Sequence, residues 1–245
     1  MGPVPSTEAG RNGATLTGVY DMSDFQGIAL TSVNGLPVGS AMLPGSSSAP
    51  AQTLSDGDDC NGAFTGTFNG NITVSEGQNC TFANGTITGN VMVKGGTLAL
   101  YEVSVGGNVQ VQGGNGFTIA SYTRIGGNLQ IQNLPAGATA NYVCDTNING
   151  NLQVKNNEAD VQIGSSSPAL CGGNGIGGNL QANNNEGSVS IFANGVSGNL
   201  QVNNNRAVSL ISNNAVIGNL QCNNNSAIAG GGNTAKQAQG QCAGF

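Results

Sequence analysis

Histidine and tryptophan are absent from this 245-residue chain, only 7% of its residues are charged, and aromatics make up 4%. Each shortage closes a class of functions. Without histidine there is no Ser-His-Asp or Cys-His arrangement and no histidine-bearing zinc site, so acid–base work would fall to carboxylates, Tyr or Lys. With 6 Lys+Arg against 12 Asp+Glu the net charge is −6. No basic stripe is left to neutralise a phosphate backbone, and nucleic acid is not expected as a partner. No apolar run approaches the roughly 20 residues of a membrane-spanning helix, so no membrane span is expected. No secretory leader is visible, and Met1-Gly2-Pro3 reads as the start of a processed or recombinant product.

Glycine, by contrast, is abundant, at 41 residues. In an aperiodic chain so little charge and so much glycine would suggest disorder. Here a phrase recurs: an apolar residue, one spacer, then Gly-Asn-(Leu/Val/Ile)-x-(Val/Ile/Ala/Cys). It begins at Gly70-Asn71-Ile72, Gly89-Asn90-Val91, Gly107-Asn108-Val109 and Gly127-Asn128-Leu129. It continues at Gly150-Asn151-Leu152, Gly178-Asn179-Leu180, Gly198-Asn199-Leu200 and Gly218-Asn219-Leu220. A period near 20 residues, with odd–even alternation inside each copy, predicts a parallel β-solenoid. The fold expected is all-β, a single-stranded parallel β-helix of about nine rungs of roughly 20 residues, with an irregular N-terminal segment and a C-terminal cap. Nine rungs at about 4.8 Å each would stand roughly 43 Å tall.

The three apolar residues of each phrase (Phe68, Ile72 and Val74 in the first) should share one face, because side chains alternate along a strand. A second strand follows about ten residues later. Its inward pairs read Cys80 with Phe82, Leu98 with Leu100, Phe117 with Ile119, Val161 with Ile163, Val189 with Ile191, and Val208 with Leu210. The glycine is expected where neighbouring backbones leave no room for a side chain. The asparagines Asn71, Asn90, Asn108, Asn128, Asn151, Asn179, Asn199 and Asn219 should form a hydrogen-bonded ladder up the stack. Asn183-Asn184-Asn185, Asn203-Asn204-Asn205 and Asn223-Asn224-Asn225 repeat the device at a corner, where Asn tolerates the left-handed conformation.

Six cysteines set the compartment. The sequential pairs Cys60 and Cys80, Cys144 and Cys171, Cys222 and Cys242 are separated by 20, 27 and 20 residues, about one rung each. Strands one rung apart, at about 4.8 Å, suit the Cα separation a disulfide requires. Three rung-to-rung disulfides are therefore predicted, and with them an oxidising, extracellular or cell-surface location. Three segments follow: a Pro/Gly/Ser-rich stretch over 1–54, the solenoid over 55–225, and a cap over 226–245 that Cys242 staples to Cys222. Residues 14–20 and 27–30 read as short strands and 43–51 as a linker.

Few residues carry chemistry. Glu158, Glu186 and Arg206 each lie eight residues after the glycine of their rung and should stack in a column. Two carboxylates about 5 Å apart is the spacing of a retaining glycosidase, but a solvated charge column uses the same residues. Asp56, Asp58 and Asp59 offer oxygens for Ca²⁺ without the full spacing of a calcium loop, and a polar turn explains them equally; no other cofactor is expected. Tyr101, Tyr122 and Tyr142 recur at 21 and 20 residues, as a column that stacks sugar rings if exposed or packs a corner if buried. Gln110, Gln130, Gln153, Gln181, Gln201 and Gln221 follow the phrase outward as a flat amide face, fit for a polysaccharide or another copy of the chain. Asn71, Asn79, Asn84 and Asn224 open N-glycosylation triplets, which an Asn-rich chain also produces by chance.

From Cys60 to Cys242 the repeats resemble those of uncharacterised secreted bacterial β-solenoid proteins with Val-x-Gly-Asn-Val/Leu-x-Val units. The ending Gly218-Asn219-Leu220-Gln221-Cys222 through Gly240-Gln241-Cys242-Ala243-Gly244 is especially similar. That resemblance implies a fold and export, not an activity. The repeat also resembles that of bactofilins, polymer-forming bacterial scaffolds, from whose cytoplasmic habit the six cysteines depart. The function expected is a secreted structural building block, non-enzymatic and self-assembling into filaments. The alternatives are a carbohydrate-binding module or adhesin using the Gln and Tyr residues, and then a polysaccharide-cleaving enzyme.

Overall fold

The computed structural model describes residues 60–167 and 171–245, with the backbone of two short strands, Ser32–Val33 and Leu36–Pro37. The chain divides into two units, 1–49 and 50–245. In the first, the two short strands pair antiparallel, Ser32 opposite Pro37 and Val33 opposite Leu36. The stretches 14–20, 27–30 and 43–51, and the candidate calcium ligands Asp56, Asp58 and Asp59, lie outside the described residues.

The second unit is a β-solenoid of about nine turns, with no helix among the described residues. Each turn has three straight sides. Side 1 is a nine-stranded parallel sheet running from Ile72–Ser75 to Gln237–Gly240. Side 2 includes Gly116–Ala120, Val161–Ile163, Val189–Phe192, Val208–Ser212 and Ala227–Gly231. Side 3 is built of two-residue strands such as Ile176 with Gly175 and Val196 with Gly195. In the first turns one long strand, such as Asn79–Ile87 or Thr97–Val105, covers sides 2 and 3 together. The period alone suggests two strands per rung. The structure has three, because the Gly-Asn phrase is a corner: its leading apolar residue lies on side 3 and its trailing pair on side 1.

Inward residues stack in columns. The leading residues, from Phe68 to Val216, are all buried, and so are the trailing pairs, from Ile72 and Val74 to Leu220 and Cys222. The second-strand pairs are buried as expected, with one exception. Val208 and Leu210 are 45% and 36% exposed, while Ser209 and Ile211 are fully buried. Pairing sets Ser209 beside Val189 and Ile211 beside Ile191, one residue away from the apolar reading. The cause lies at the corners. Asn185 to Asn194 and Asn205 to Asn214 span the same number of residues, and both pairs are clamped to each other across the turn. A slip that buried Val208 and Leu210 would break one clamp or force a bulge.

The expected asparagine ladder is present. From Asn90 to Asn219, each Asn backbone N–H donates to the preceding Asn Oδ1 at 2.8 Å. Through Asn179 the Nδ2 group donates there as well, at 3.0–3.3 Å. The glycines run alongside as a backbone ladder, Gly178 N–H to the Gly150 carbonyl and Gly198 N–H to Gly178, each at 2.9 Å. A Cβ on Gly178 would stand 2.5 Å from Asn151 Oδ1, so Gly and Asn act as one device: the missing side chain is the room the amide occupies. The ladder ends at Asn219, whose buried Oδ1 has no partner; the next turn places Lys236-Gln237 where Gly-Asn would stand.

The corner between sides 1 and 2 holds one left-handed residue per turn: Gly77, Gly95, Gly113, then Asn133, Asn156, Asn184, Asn204 and Asn224, all at positive φ. Here Asn replaces Gly because its amide compensates for the conformation. The following residue forms a second, buried ladder through Asn157, Asn185, Asn205 and Asn225, in which each Nδ2 donates to the next Oδ1 at 2.9 Å. Gln241 closes it: its Oε1 accepts from Asn225, and its Nε2 donates back to the Asn225 carbonyl.

All three predicted disulfides are formed, Cys60–Cys80, Cys144–Cys171 and Cys222–Cys242, with Cα separations of 5.2, 5.8 and 5.4 Å. The first and last sit in the core at either end of the described stack. The C-terminal tail is itself a further turn: Ala227–Gly231 adds to side 2 and Gln237–Gly240 to side 1.

Candidate functional site

With the ladders absorbed by the scaffold, the outward residues hold what remains for chemistry. On side 1 the alternation turns Gln110, Gln130, Gln153, Gln181, Gln201 and Gln221 outward in a single in-register column. All six are half-buried. Gln153 Nε2 donates to Gln181 Oε1 at 3.1 Å, and the series continues through Gln201 and Gln221 to Gln239 at 2.8, 2.9 and 3.2 Å. A primary amide offers two donors and two acceptor sites. For Gln181, Gln201 and Gln221 one of each is spent along the column. The neighbouring column carries Lys94, Gln112, Gln132, Lys155, Asn183, Asn203 and Asn223 in register.

The tyrosines do not form the column their spacing suggests. Tyr101 pairs with Ala120, and Tyr142 with Thr118, so the two lie on the outer face of side 2 across a floor of small residues. That floor is itself buried, with Thr118 and Ala120 each 7% exposed. Tyr122 stands apart at the next corner, at positive φ and 80% exposed. The 21- and 20-residue spacing misled because turns differ in length, and Tyr122 falls past the end of the side 2 strand. Burial, and then the neighbouring Tyr142, raise the Tyr101 hydroxyl above its ordinary range, while a hydrogen bond with Thr118 opposes the shift.

Glu158, Glu186 and Arg206 do follow the same corner, each one residue after a ladder asparagine. Arg206 Nη1 meets Glu186 Oε1 at 2.6 Å, with the two side chains 76% and 53% exposed. This is the one ion pair among the described residues, and a pair so open contributes little. It borders a shallow groove lined by Asn184, Asn204, Asn224 and Ser226. Cys144, Asp145 and Cys171 lie close together, but both sulfurs are committed to the disulfide.

Two features escaped the sequence reading. A third buried ladder runs through Asn174, Asn194, Asn214 and Asn233 at the corner between sides 2 and 3, with Nδ2-to-Oδ1 distances of 2.8–2.9 Å. Its spacing of 20, 20 and 19 residues was the available signal. Lys94 and Lys155 also share one column, and each lies five residues after its phrase glycine. No helix of the described residues is long and apolar enough to cross a membrane, and the three disulfides are compatible with an extracellular setting. No family model, no curated protein and no solved structure matches this chain.

Proposed function

We propose that this chain is a secreted structural building block of a cell surface or extracellular matrix, and that it self-assembles into filaments. The observation that carries the reading is where the chain's polar groups are used. Three asparagine ladders, a glycine backbone ladder and three disulfides commit them to holding turn upon turn, which is the equipment of a durable rod. Self-assembly is supported by the last turn. Ala227–Gly231 and Gln237–Gly240 each end a sheet, pair on one side only among the described residues, and contain no charge. An uncharged free edge is a template for another strand.

The test is negative-stain electron microscopy of the purified protein across a concentration series, with light scattering in parallel and no added ligand. Filaments or ordered oligomers that lengthen with concentration are expected. Monomers at every concentration, with no attachment to cell surfaces, would overturn the proposal.

A further inference from the structure

The outer face of side 1 differs in charge from the rest of the molecule. The chain carries 12 acidic residues against 6 basic ones. Yet none of the described carboxylate side chains stands among the outward residues of side 1. Glu76, Glu102, Asp145, Glu158, Asp160 and Glu186 lie at corners or at the start of side 2. Two lysines do stand on side 1. Lys94 and Lys155 occupy one column, three strands apart, with Gln112 and Gln132 between them. That separation is about 14 Å at one strand spacing per turn. Neither lysine has an ion-pair partner, since Arg206–Glu186 is the one pair among the described residues.

From Lys155 onward the outward face is made of amides held by one another, and between the two lysines stand Gln110, Gln112, Gln130 and Gln132. Gln153, Gln181, Gln201 and Gln221 are hydrogen-bonded in series, so their remaining donors and acceptors are fixed in direction before any ligand arrives. Such a surface loses little side-chain freedom on binding. Its regular, uncharged donor–acceptor array suits the hydroxyls of an extended sugar chain. Its unpaired lysines suit that chain's carboxylates. A second copy of this chain is a poorer occupant, because face-to-face pairing would bring lysines together with no carboxylate to meet them. A polyphosphate is poorer too, since the overall charge of −6 repels it and two lysines are too few to offset that.

We infer that the outer face of side 1 binds an extended acidic polysaccharide lying along the stack, with Lys94 and Lys155 on its carboxylates and the amide columns on its hydroxyls. The inference deepens the building-block reading by naming the polymer beside which the rod is laid, and it is read on single rods, so the two stand or fall separately.

The probes are sodium polygalacturonate and its fully methyl-esterified form, each cast into native gels to measure retardation of the protein. Wild type should be retarded by the acid polymer, much less by the ester, and less again at high salt. Lys94→Gln with Lys155→Gln should weaken retardation roughly tenfold, the scale of two exposed ion pairs. Both lysines lie on the outer face, so the fold should persist, and an unchanged melting temperature would verify that. Gln130→Glu with Gln153→Glu, which sets like charges on the face, should abolish retardation. No retardation of wild type, equal retardation by acid and ester, or an unchanged lysine variant would each overturn the inference. So would loss of binding in Tyr101→Ala with Tyr142→Ala, which would move the site to side 2.

Discussion

Replacing Asn205 by alanine tests whether the buried ladders hold the turns together. The Asn205 side chain is 1% exposed and makes four hydrogen bonds. Its Nδ2 donates to the Ala182 carbonyl at 3.0 Å and to Asn225 Oδ1 at 2.9 Å. Its Oδ1 accepts from the Asn185 backbone N–H and from Asn185 Nδ2, both at 2.9 Å. Truncation strands the Asn185 N–H and removes one partner each from the Ala182 carbonyl, Asn185 Nδ2 and Asn225 Oδ1. A buried donor left without a partner costs about 1–3 kcal/mol and each further lost hydrogen bond about 0.5–1.5 kcal/mol, so the sum is of order 3–6 kcal/mol. In a chain of this length that corresponds to a fall in melting temperature of order 10 °C. Because each turn touches only its neighbours, the loss should appear first as faster amide exchange in the turns beyond Asn205, before the whole stack melts. Asn205→Asp separates shape from donor count. It should be at least as damaging at neutral pH and should recover as the pH falls, because burial favours the protonated acid and the folded state then binds the extra proton. Asn204→Gly is the control. Asn204 is exposed at positive φ, which glycine adopts freely, and the change should stay within about 0.5 kcal/mol. A melting temperature for Asn205→Ala within about 2 °C of wild type, followed by circular dichroism, would refute the reasoning.

Gly178→Ala should also destabilise, by about 2 kcal/mol or more in chemical denaturation, because its Cβ would stand 2.5 Å from Asn151 Oδ1 and 2.9 Å from the Gly150 carbonyl; Gly195→Ala, whose Cβ would meet only Asn174 O at 3.9 Å, should cost far less. Ser209→Val should stabilise by about 1–3 kcal/mol, since it removes a buried hydroxyl without a partner from a slot where adjacent turns hold Val189 and Ile228; lower stability in urea would show that Ser209 is satisfied after all. Tyr101 should ionise above its ordinary 10.0 in a tyrosinate absorbance titration, and Tyr142→Phe should bring it down. A phenol whose pKa is raised by folding contributes stability that is complete below its unfolded value and lost as the pH rises through the folded one, so the associated weakening is alkaline only.

The sequence was most readable where one residue type recurs at one offset. The phrase glycine and asparagine, the inward apolar columns and the disulfide pairs all have that form, and all are where the period places them. It misled where identity was trusted over spacing. Val208 and Leu210 were read as core because they are apolar, yet they are exposed, since the distance between corner asparagines outranks the hydrophobic pattern. Tyr122 was read into a column by a spacing that ignored unequal turns. The third ladder was missed for the opposite reason: Asn174, Asn194 and Asn214 keep the spacing but stand outside the conspicuous phrase.

These cases share a physical cause. A solenoid of this kind separates the tasks that a globular core combines. Burial on the three sides supplies the driving force but specifies register weakly, because neighbouring columns of Val, Ile and Leu are nearly interchangeable. The corners specify register, because an amide ladder is satisfied in one alignment and leaves buried donors orphaned in every other. The rung at Ser209 is the direct demonstration. There the two criteria conflict, and the ladder prevails at the cost of two exposed apolar side chains and one buried hydroxyl without a partner. Once the corners carry register, the outward residues of each side are released from specifying the fold. An ordered amide column on an outward face without carboxylates is therefore not something the fold demands, and a partner outside the chain is the physical reason to look for.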